Sequence, residues 1–168
     1  MYRRVTMIRL SASALLYIVL GLSGDSVSGR LNNDKEGVVC QVLCPPGWVN
    51  FEKRCFQYIR QEKTWVDAEL DCISKGGNLA SVHSEEEHQF LKQQISSKEI
   101  PMWLGGTDCY KEGTWFWSDG AQWNWVKWNT GEPNNAGIEN CIHLNYDQEG
   151  WNDISCNNQY PYICARTP

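Results

Sequence analysis

The sequence of 168 residues predicts an α+β fold, and three observations support this class. Two helical patterns come early in the chain, short aromatic strand patterns bounded by glycines follow them, and eight cysteines come after an apolar N-terminal segment. Helices and strands that occur in separate runs are typical of α+β folds. Eight cysteines behind an export signal indicate a domain cross-linked by disulfides.

Residues 1–24 have the pattern of a signal peptide. Arg3, Arg4 and Arg9 precede an apolar run of 13 residues, 10–22, and small residues follow it. The run is shorter than the roughly 20 residues that span a bilayer, which favours cleavage and secretion over the alternative of a signal anchor. Of the 15 basic residues three lie in this segment, so the mature chain would carry 12 basic and 20 acidic residues, a net charge of −8. That balance argues against nucleic acids and anionic membranes as partners.

The eight cysteines fit disulfides better than a zinc site. They are Cys40, Cys44, Cys55, Cys72, Cys109, Cys141, Cys156 and Cys164. Zinc is the rival interpretation, but the chain has no Cys-x2-Cys pair, and His83, His88 and His143 do not stand at ligand spacing. Residues 25–43 are polar and predict a flexible lead-in. We expect the ordered domain to span residues 44–166, with its first strand pattern at residues 55–59.

A first helix is predicted from residue 65, with Thr64 as its cap and Asp67 completing a capping box. Trp65, Ala68, Cys72 and Ile73 would form its buried face, and Gly76 and Gly77 would end it.

A second helix is predicted after Ser84, with Glu87 as the boxed acid and Phe90, Leu91 and Ile95 on its buried side. Its acidic first turn, residues 85–87, raises a metal interpretation. The structural interpretation is preferred, because acids in a first turn interact favourably with the helix dipole.

The later part of the chain predicts short strands around a long loop. "MWLGG", "TWFWSDG", "CIHLNY" and "YPYICA" are strand patterns, and residues 118–140 show no clear element. A loop of that length in a compact domain is usually functional. We expect its residues Trp123, Trp125 and Trp128 to fix the loop to the core rather than to stack on a ligand.

The stretch "GEPNNAGIEN", residues 131–140, holds two glutamates and three asparagines. Gly, Pro and Asn are turn formers, so a solvated loop would explain this composition. A site for a hard cation, which needs several oxygen ligands at once, would explain it too.

The ordered set of motifs distinguishes these interpretations. "CPPGW", "MWLGG", "TWFWSDG", "EPN" and "WND", together with the cysteine spacing, resemble a C-type lectin domain over residues 44–165. The chain is also similar to the soluble lectins and type II antifreeze proteins of that superfamily. The resemblance implies a C-type lectin-like fold of two helices and short antiparallel sheets with a long calcium-binding loop. It also implies three disulfides: Cys44–Cys55, Cys72–Cys164 and Cys141–Cys156.

Cys40 and Cys109 are left outside the six-cysteine set that the resemblance implies. Cys109 is expected on the long-loop side, away from the chain ends, so a bond within one chain to Cys40 would need too large a span. We therefore interpret Cys40 as a candidate for an interchain disulfide that would link a homodimer.

The resemblance implies that Ca²⁺ is held by Glu132, Asn134, Glu139, Asn152 and Asp153, and that the same residues bind carbohydrate. A cis bond between Glu132 and Pro133 is expected at a loaded site. Relatives with "EPN" favour mannose, N-acetylglucosamine and fucose, and those with "QPD" favour galactose. A second calcium site is expected to be weak or empty, because Asp108 and Glu112 are present but Asn135 and Asn140 replace its other acids.

The chain is therefore interpreted as a secreted, calcium-dependent lectin for mannose-type glycans, with microbial surfaces as candidate targets and a role in innate defence. An ice-binding protein of the type II antifreeze kind and a lectin-like protein-binding module are the alternatives. An enzyme is disfavoured, because the sequence has no nucleophilic triad, P-loop or redox Cys-x2-Cys motif. Paired acids such as Glu132 and Glu139 could serve glycoside hydrolysis, but not as proton donors while they bind calcium.

Overall fold

The computed structural model describes residues 44–93, 100–144 and 150–168. The predicted signal peptide, the lead-in of residues 25–43 and Cys40 lie outside the described residues. The described chain forms ten elements: β1 (Val49–Phe51), β2 (Arg54–Lys63), α1 (Trp65–Ser74), β3 (Asn78–Leu79), α2 (Glu85–Gln93), β4 (Met102–Thr107), β5 (Phe116–Trp117), β6 (Cys141–Leu144), β7 (Trp151–Ile154) and β8 (Tyr160–Arg166). This confirms the α+β class.

All strands of the described chain belong to one connected sheet with the order β1-β2-β8-β4-β6-β7, to which β3 and β5 attach at β8 and β4. The pairing is antiparallel except between β4 and β8, which run parallel at Trp103 and Tyr162. The expected antiparallel pairing is therefore found for every described strand pair except this one, which makes the sheet a mixed one. The last strand, β8, lies between β2 and β4, so the C-terminal segment joins the first strands of the chain to the later ones.

Helix α1 begins as predicted, because the Asp67 N–H donates to Thr64 Oγ1 over 3.3 Å. Ala68 and Cys72 are buried, but Ile73 is 50% exposed, so its predicted place on the buried face was wrong. Glu69 is buried on the helix instead. Its carboxylate accepts hydrogen bonds from the Leu79 N–H and from the side chains of Asn78 and Ser118, which compensate the loss of hydration.

Helix α2 follows Ser84, whose Oγ accepts from the Glu87 N–H over 3.1 Å. The Glu87 carboxylate does not return to Ser84. It accepts from the His83 N–H over 2.8 Å and forms an ion pair with Arg54 at 2.6 Å. The acidic first turn thus has a structural role at Glu87, in agreement with the preferred interpretation. Leu91 is buried as predicted, whereas Ile95 lies outside the described residues.

Three disulfides have the predicted partners. Cys44–Cys55, Cys72–Cys164 and Cys141–Cys156 have Cα–Cα distances of 5.5, 5.3 and 5.2 Å. Within the described ranges Cys109 is the free cysteine, and it is exposed. It follows Asp108, whose N–H donates to the Asn140 carbonyl, so Cys109 lies on the long-loop side as expected.

Aromatic side chains join the long loop to the core. Trp151 is fully buried, and the rings of Trp123, Trp125 and Trp128 have their centroids 6.0, 5.4 and 5.9 Å from it. Trp123 also packs against Trp117 at 4.6 Å. The core interpretation of the three loop tryptophans is confirmed, because all of them pack on the main buried cluster.

Candidate functional site

Backbone hydrogen bonds fix the long loop beside β7. The Asn129 N–H donates to the Trp151 carbonyl over 2.8 Å, and the Trp151 N–H donates to the Lys127 carbonyl over 2.7 Å. The Glu132 N–H in turn donates to the Asn129 carbonyl over 3.1 Å. These bonds place the beginning of the "EPN" motif beside β7, the strand that carries "WND", although the two motifs are far apart in the sequence.

Asp153 holds the loop at its next residues. Its Oδ1 accepts from the Asn134 N–H over 3.0 Å, and its Oδ2 accepts from the Asn135 N–H over 2.8 Å. Asn135 has φ +46°, a left-handed conformation that asparagine tolerates, and this turn aims two successive N–H groups at one carboxylate. The Glu132–Pro133 bond is cis, which confirms the expectation.

The carboxylates of Glu132 and Asp153 interact directly. Burial raises the pKa of Glu132 above its ordinary value, and the adjacent Asp153 carboxyl raises it further. Glu132 Oε2 is buried without a hydrogen-bond partner in the described structure. A buried carboxylate oxygen beside a second carboxylate is costly unless a cation compensates it, so this corner of the molecule suits a cation.

Asn134 and Glu139 converge on one donor. The Ala136 N–H donates to Asn134 Oδ1 over 2.8 Å and to Glu139 Oε2 over 2.7 Å. The Glu139 N–H donates to Asn135 Oδ1 over 3.2 Å. The loop therefore places the side-chain oxygens of Asn134 and Glu139 together, and its own backbone holds them.

Asn152 lies on β7 and is nearly buried, at 7% exposure. Its Nδ2 is 2.9 Å from His143 Nε2 and 2.6 Å from the Asp153 carbonyl oxygen. His143 is fully buried on β6, and burial lowers its pKa to about 4, so its ring is neutral at physiological pH. The sequence interpretation missed His143, because the strand pattern "CIHLNY" does not show which residue faces it across the hairpin.

The five predicted site residues thus fall in one region, with two carboxylates in contact and amide and backbone oxygens around them. Across residues 44–93, 100–144 and 150–168, no three His, Cys, Asp or Glu side chains group closely enough to form a metal cluster by themselves. The fit to a metal therefore rests on the Glu132–Asp153 pair and its unpartnered oxygen. A donor set made of carboxylate, amide and carbonyl oxygens suits calcium better than a soft metal.

The residues of the expected second calcium site are bonded to one another. Asn140 Nδ2 donates to Asp108 Oδ1 over 2.9 Å, and the Gly113 N–H donates to Asp108 Oδ2 over 2.7 Å. Glu112 is adjacent to Asp108 and accepts a hydrogen bond from the Asn135 side chain. Amide N–H groups thus already donate to both carboxylate oxygens of Asp108, which a second calcium ion would need as ligands.

The family model described as the lectin C-type domain matches residues 61–166. The chain belongs to the C-type lectin domain family. This C-type lectin domain is 47% identical over 133 residues to lactose-binding lectin l-2 of Anguilla japonica, a match that covers 76% of this chain and 80% of that protein. It is 39% identical over 127 residues to the galactose-specific lectin nattectin of Thalassophryne nattereri, covering 73% of this chain and 80% of the relative.

Solved structures show the same fold. The herring type II antifreeze protein superposes on this C-type lectin domain with a TM-score of 0.71 and 38% identity, over 74% of this chain and 99% of the other. The C-type lectin domain family is non-enzymatic, so the family match agrees with the interpretation that the chain is not an enzyme. No helix in the described parts of the chain is both long and apolar enough to cross a membrane.

Proposed function

We propose that this C-type lectin domain binds Ca²⁺ through Glu132, Asn134, Glu139, Asn152 and Asp153, and that the loaded site binds a hexose. The observation that carries the proposal is the buried, unpartnered Glu132 Oε2 next to the Asp153 carboxylate. Bound calcium would neutralise this pair and offer coordination positions to two vicinal sugar hydroxyls.

The protein's own polar groups would bind the same hydroxyls. Asn134 Oδ1 accepts from the Ala136 N–H, which leaves its Nδ2 as a donor toward a sugar oxygen. Glu132 and Glu139 carry carboxylate oxygens that accept hydroxyl protons. Asn152 donates to His143 and Asp153, so its Nδ2 is engaged within the protein. This arrangement favours Asn134 as the amide donor toward the sugar.

We propose mannose-type glycans as the ligand class, because "EPN" puts the acid before the amide. Two relatives are named for lactose and galactose, which makes galactose the competing sugar class. The distinction depends on the order of donor and acceptor around the ion. A direct competition between mannose and galactose therefore tests the finer part of the proposal separately from calcium dependence.

We also propose that the protein is secreted after loss of residues 1–24 and acts as an agglutinin in innate defence. The support is the basic and apolar pattern of that segment and the eight cysteines. Multivalent microbial glycans are the proposed targets, because a site that contacts only two hydroxyls needs avidity to be effective.

Ice binding is the second candidate, supported by the fold shared with the herring type II antifreeze protein. Such a protein would bind ice through the surface around the same loop and would not bind a sugar there. Measurement of thermal hysteresis distinguishes the two candidates, since a lectin at micromolar concentration should show none.

The experiment is retention on mannose-agarose and on galactose-agarose, in calcium and in excess EDTA. We expect retention on mannose in calcium and release by EDTA. Glu132→Ala should abolish retention, and Glu62→Gln, a change at an exposed acid of β2 outside the site, should leave it unchanged. Equal retention in EDTA would refute the calcium proposal, and retention on galactose alone would refute the mannose proposal.

A further inference from the structure

His143 and Asn152 are directly paired residues on the hairpin strands β6 and β7. On its other side His143 pairs with Trp103 of β4. The imidazole is fully buried and stacks on Tyr160, with ring centroids 5.1 Å apart and an interplanar angle of 24°. Its ring centroid is 6.2 Å from that of Trp103. These contacts fix the direction in which Nε2 points, which is toward the Asn152 amide.

The surroundings of Asn152 decide which way its amide faces. The Asp153 carbonyl, 2.6 Å from one amide atom, can only accept a hydrogen bond. In the metal-free structure that amide atom is therefore the nitrogen, since two oxygens with neither a proton nor a cation between them would repel each other. The second proton of Nδ2 then goes to His143 Nε2, which accepts it over 2.9 Å. Both amide protons point into the protein.

We propose that His143 is a positioning residue that holds the Asn152 amide with its nitrogen turned inward, so that Oδ1 is left for the calcium ion of the proposed site. The inference rests on the proposed function, because it assigns Oδ1 to that ion. The residue acts through Asn152 and does not itself contact ion or sugar. Outer partners of this kind orient a ligand before the ion arrives, and their loss typically costs about 10–100-fold in metal affinity.

A purely structural role for His143 makes a different prediction. If the ring only filled space between Trp103 and Tyr160, an apolar or shorter side chain would lower thermal stability but leave the calcium affinity of the folded protein unchanged. If it positions Asn152, the requirement is an acceptor at the place of Nε2. Glutamine meets this requirement, because its Oε1 is as many bonds from Cβ as Nε2 is. Asparagine is chemically alike but too short.

The test compares His143→Gln with His143→Asn, both measured below their melting temperatures. Calcium affinity is determined by isothermal titration calorimetry. In EDTA, ¹⁵N NMR of the Asn152 side-chain amide reports solvent exchange of its two protons. We expect slow exchange and near-native calcium affinity in His143→Gln. We expect fast exchange and a loss of about 10–100-fold in affinity in His143→Asn.

The possible outcomes separate the two proposals. Equal calcium affinity in the two variants, or fast amide exchange in the wild type, would overturn the positioning role. Reduced melting temperature in both variants with unchanged affinity would show that the ring is only a packing residue. Wild-type protein that binds no calcium but keeps slow amide exchange would overturn the proposed function alone, and the orienting contact of His143 would stand.

Discussion

The Asn134 N–H donates to Asp153 Oδ1 over 3.0 Å and joins residues 19 positions apart. Asp153 is 1% exposed, so the bond forms where water competes little. The Asn135 N–H donates to the other oxygen of the same carboxylate, and neither hydrogen bond involves an ion. The protein part of the candidate site is therefore largely arranged before calcium binds.

Glu132→Gln should stabilise the metal-free protein. Burial and the adjacent Asp153 raise the Glu132 pKa, so the folded state holds that proton more tightly than the unfolded state. Stability in EDTA should therefore fall as pH rises from the ordinary pKa of a glutamate through the raised value, and the variant should lack this loss. Thermal melts across pH in EDTA measure it. In calcium the wild type should be the more stable of the two proteins, because the variant lacks one charged calcium ligand.

Glu85→Gln is the matched control for that experiment. Hydrogen bonds from Gln89 and then from Lys127 lower the pKa of Glu85, so its charge stabilises the folded state. The variant should be slightly less stable than the wild type above the ordinary glutamate pKa, with or without calcium. A Glu132→Gln protein that melts like Glu85→Gln in EDTA would contradict the carboxylate pair.

The protein should bind one calcium ion per chain, and Asn135→Asp with Asn140→Asp should raise this number to two. In the wild type the Asn140 amide donates to Asp108, and removal of this bond to a charged group should cost about 1–3 kcal/mol in EDTA. Calcium should restore stability to the double variant, because four carboxylates then meet. Calorimetric titration gives the stoichiometry.

Asn140→Ala separates loss of the hydrogen bond from gain of an ion site. In EDTA its free energy of unfolding should fall by about as much as that of the double variant. Calcium should not restore this loss, because no second ion can bind. A wild-type stoichiometry of two would show that the amides yield to an ion and that the interpretation of this region is wrong.

Trp123→Ala should lower stability without changing sugar affinity at saturating calcium. The ring packs on Trp117 at 4.6 Å and on Trp151 at 6.0 Å, and it is only partly exposed. We expect a loss of about 2–3 kcal/mol, below the range of about 3–5 for fully buried aromatic side chains. Denaturant melts measure the loss, and Val126→Ala, at a 46% exposed position of the same loop, is the control. Weaker sugar binding with unchanged stability would assign Trp123 to the ligand instead.

Glu132→Gln combined with Asn134→Asp should shift preference from mannose toward galactose. Aspartate at 134 keeps the Oδ1 that accepts from the Ala136 N–H, so the loop should retain its shape. Only the places of donor and acceptor are exchanged. Competitive elution with the two sugars measures preference. An unchanged preference would assign specificity to the surrounding loop.

A disulfide through Cys40 should link two chains of the protein. The three disulfides use six of the eight cysteines, and Cys40 lies outside the described residues. Among the cysteines that the structure describes, Cys109 is free and exposed. Non-reducing electrophoresis should show a dimer that Cys40→Ser abolishes, with monovalent sugar binding intact. A monomer in which peptide mapping finds Cys40 bonded to Cys109 would disprove the dimer.

Local chemistry made much of this protein predictable from its sequence. Thr64 caps α1 and Ser84 caps α2, because such caps depend on neighbours within one turn. The family was predictable from the order of the motifs along the chain. The three disulfide pairs were predictable only through the resemblance to that family, because cysteine spacing alone does not give connectivity. The oxygen-rich loop was predictable as a candidate site because its residue types are unusual beside so many tryptophans.

The tertiary structure decided which polar groups face each other. Ile73 was expected inside and lies half exposed, while Glu69 is buried because Leu79 and Ser118 come from distant segments to hydrogen-bond it. His143 meets Asn152 only through the register of β6 on β7, and a shift of one residue would turn that ring to the other face. Register and long-range hydrogen bonds are properties of the packed chain, and no local pattern in this sequence encodes them.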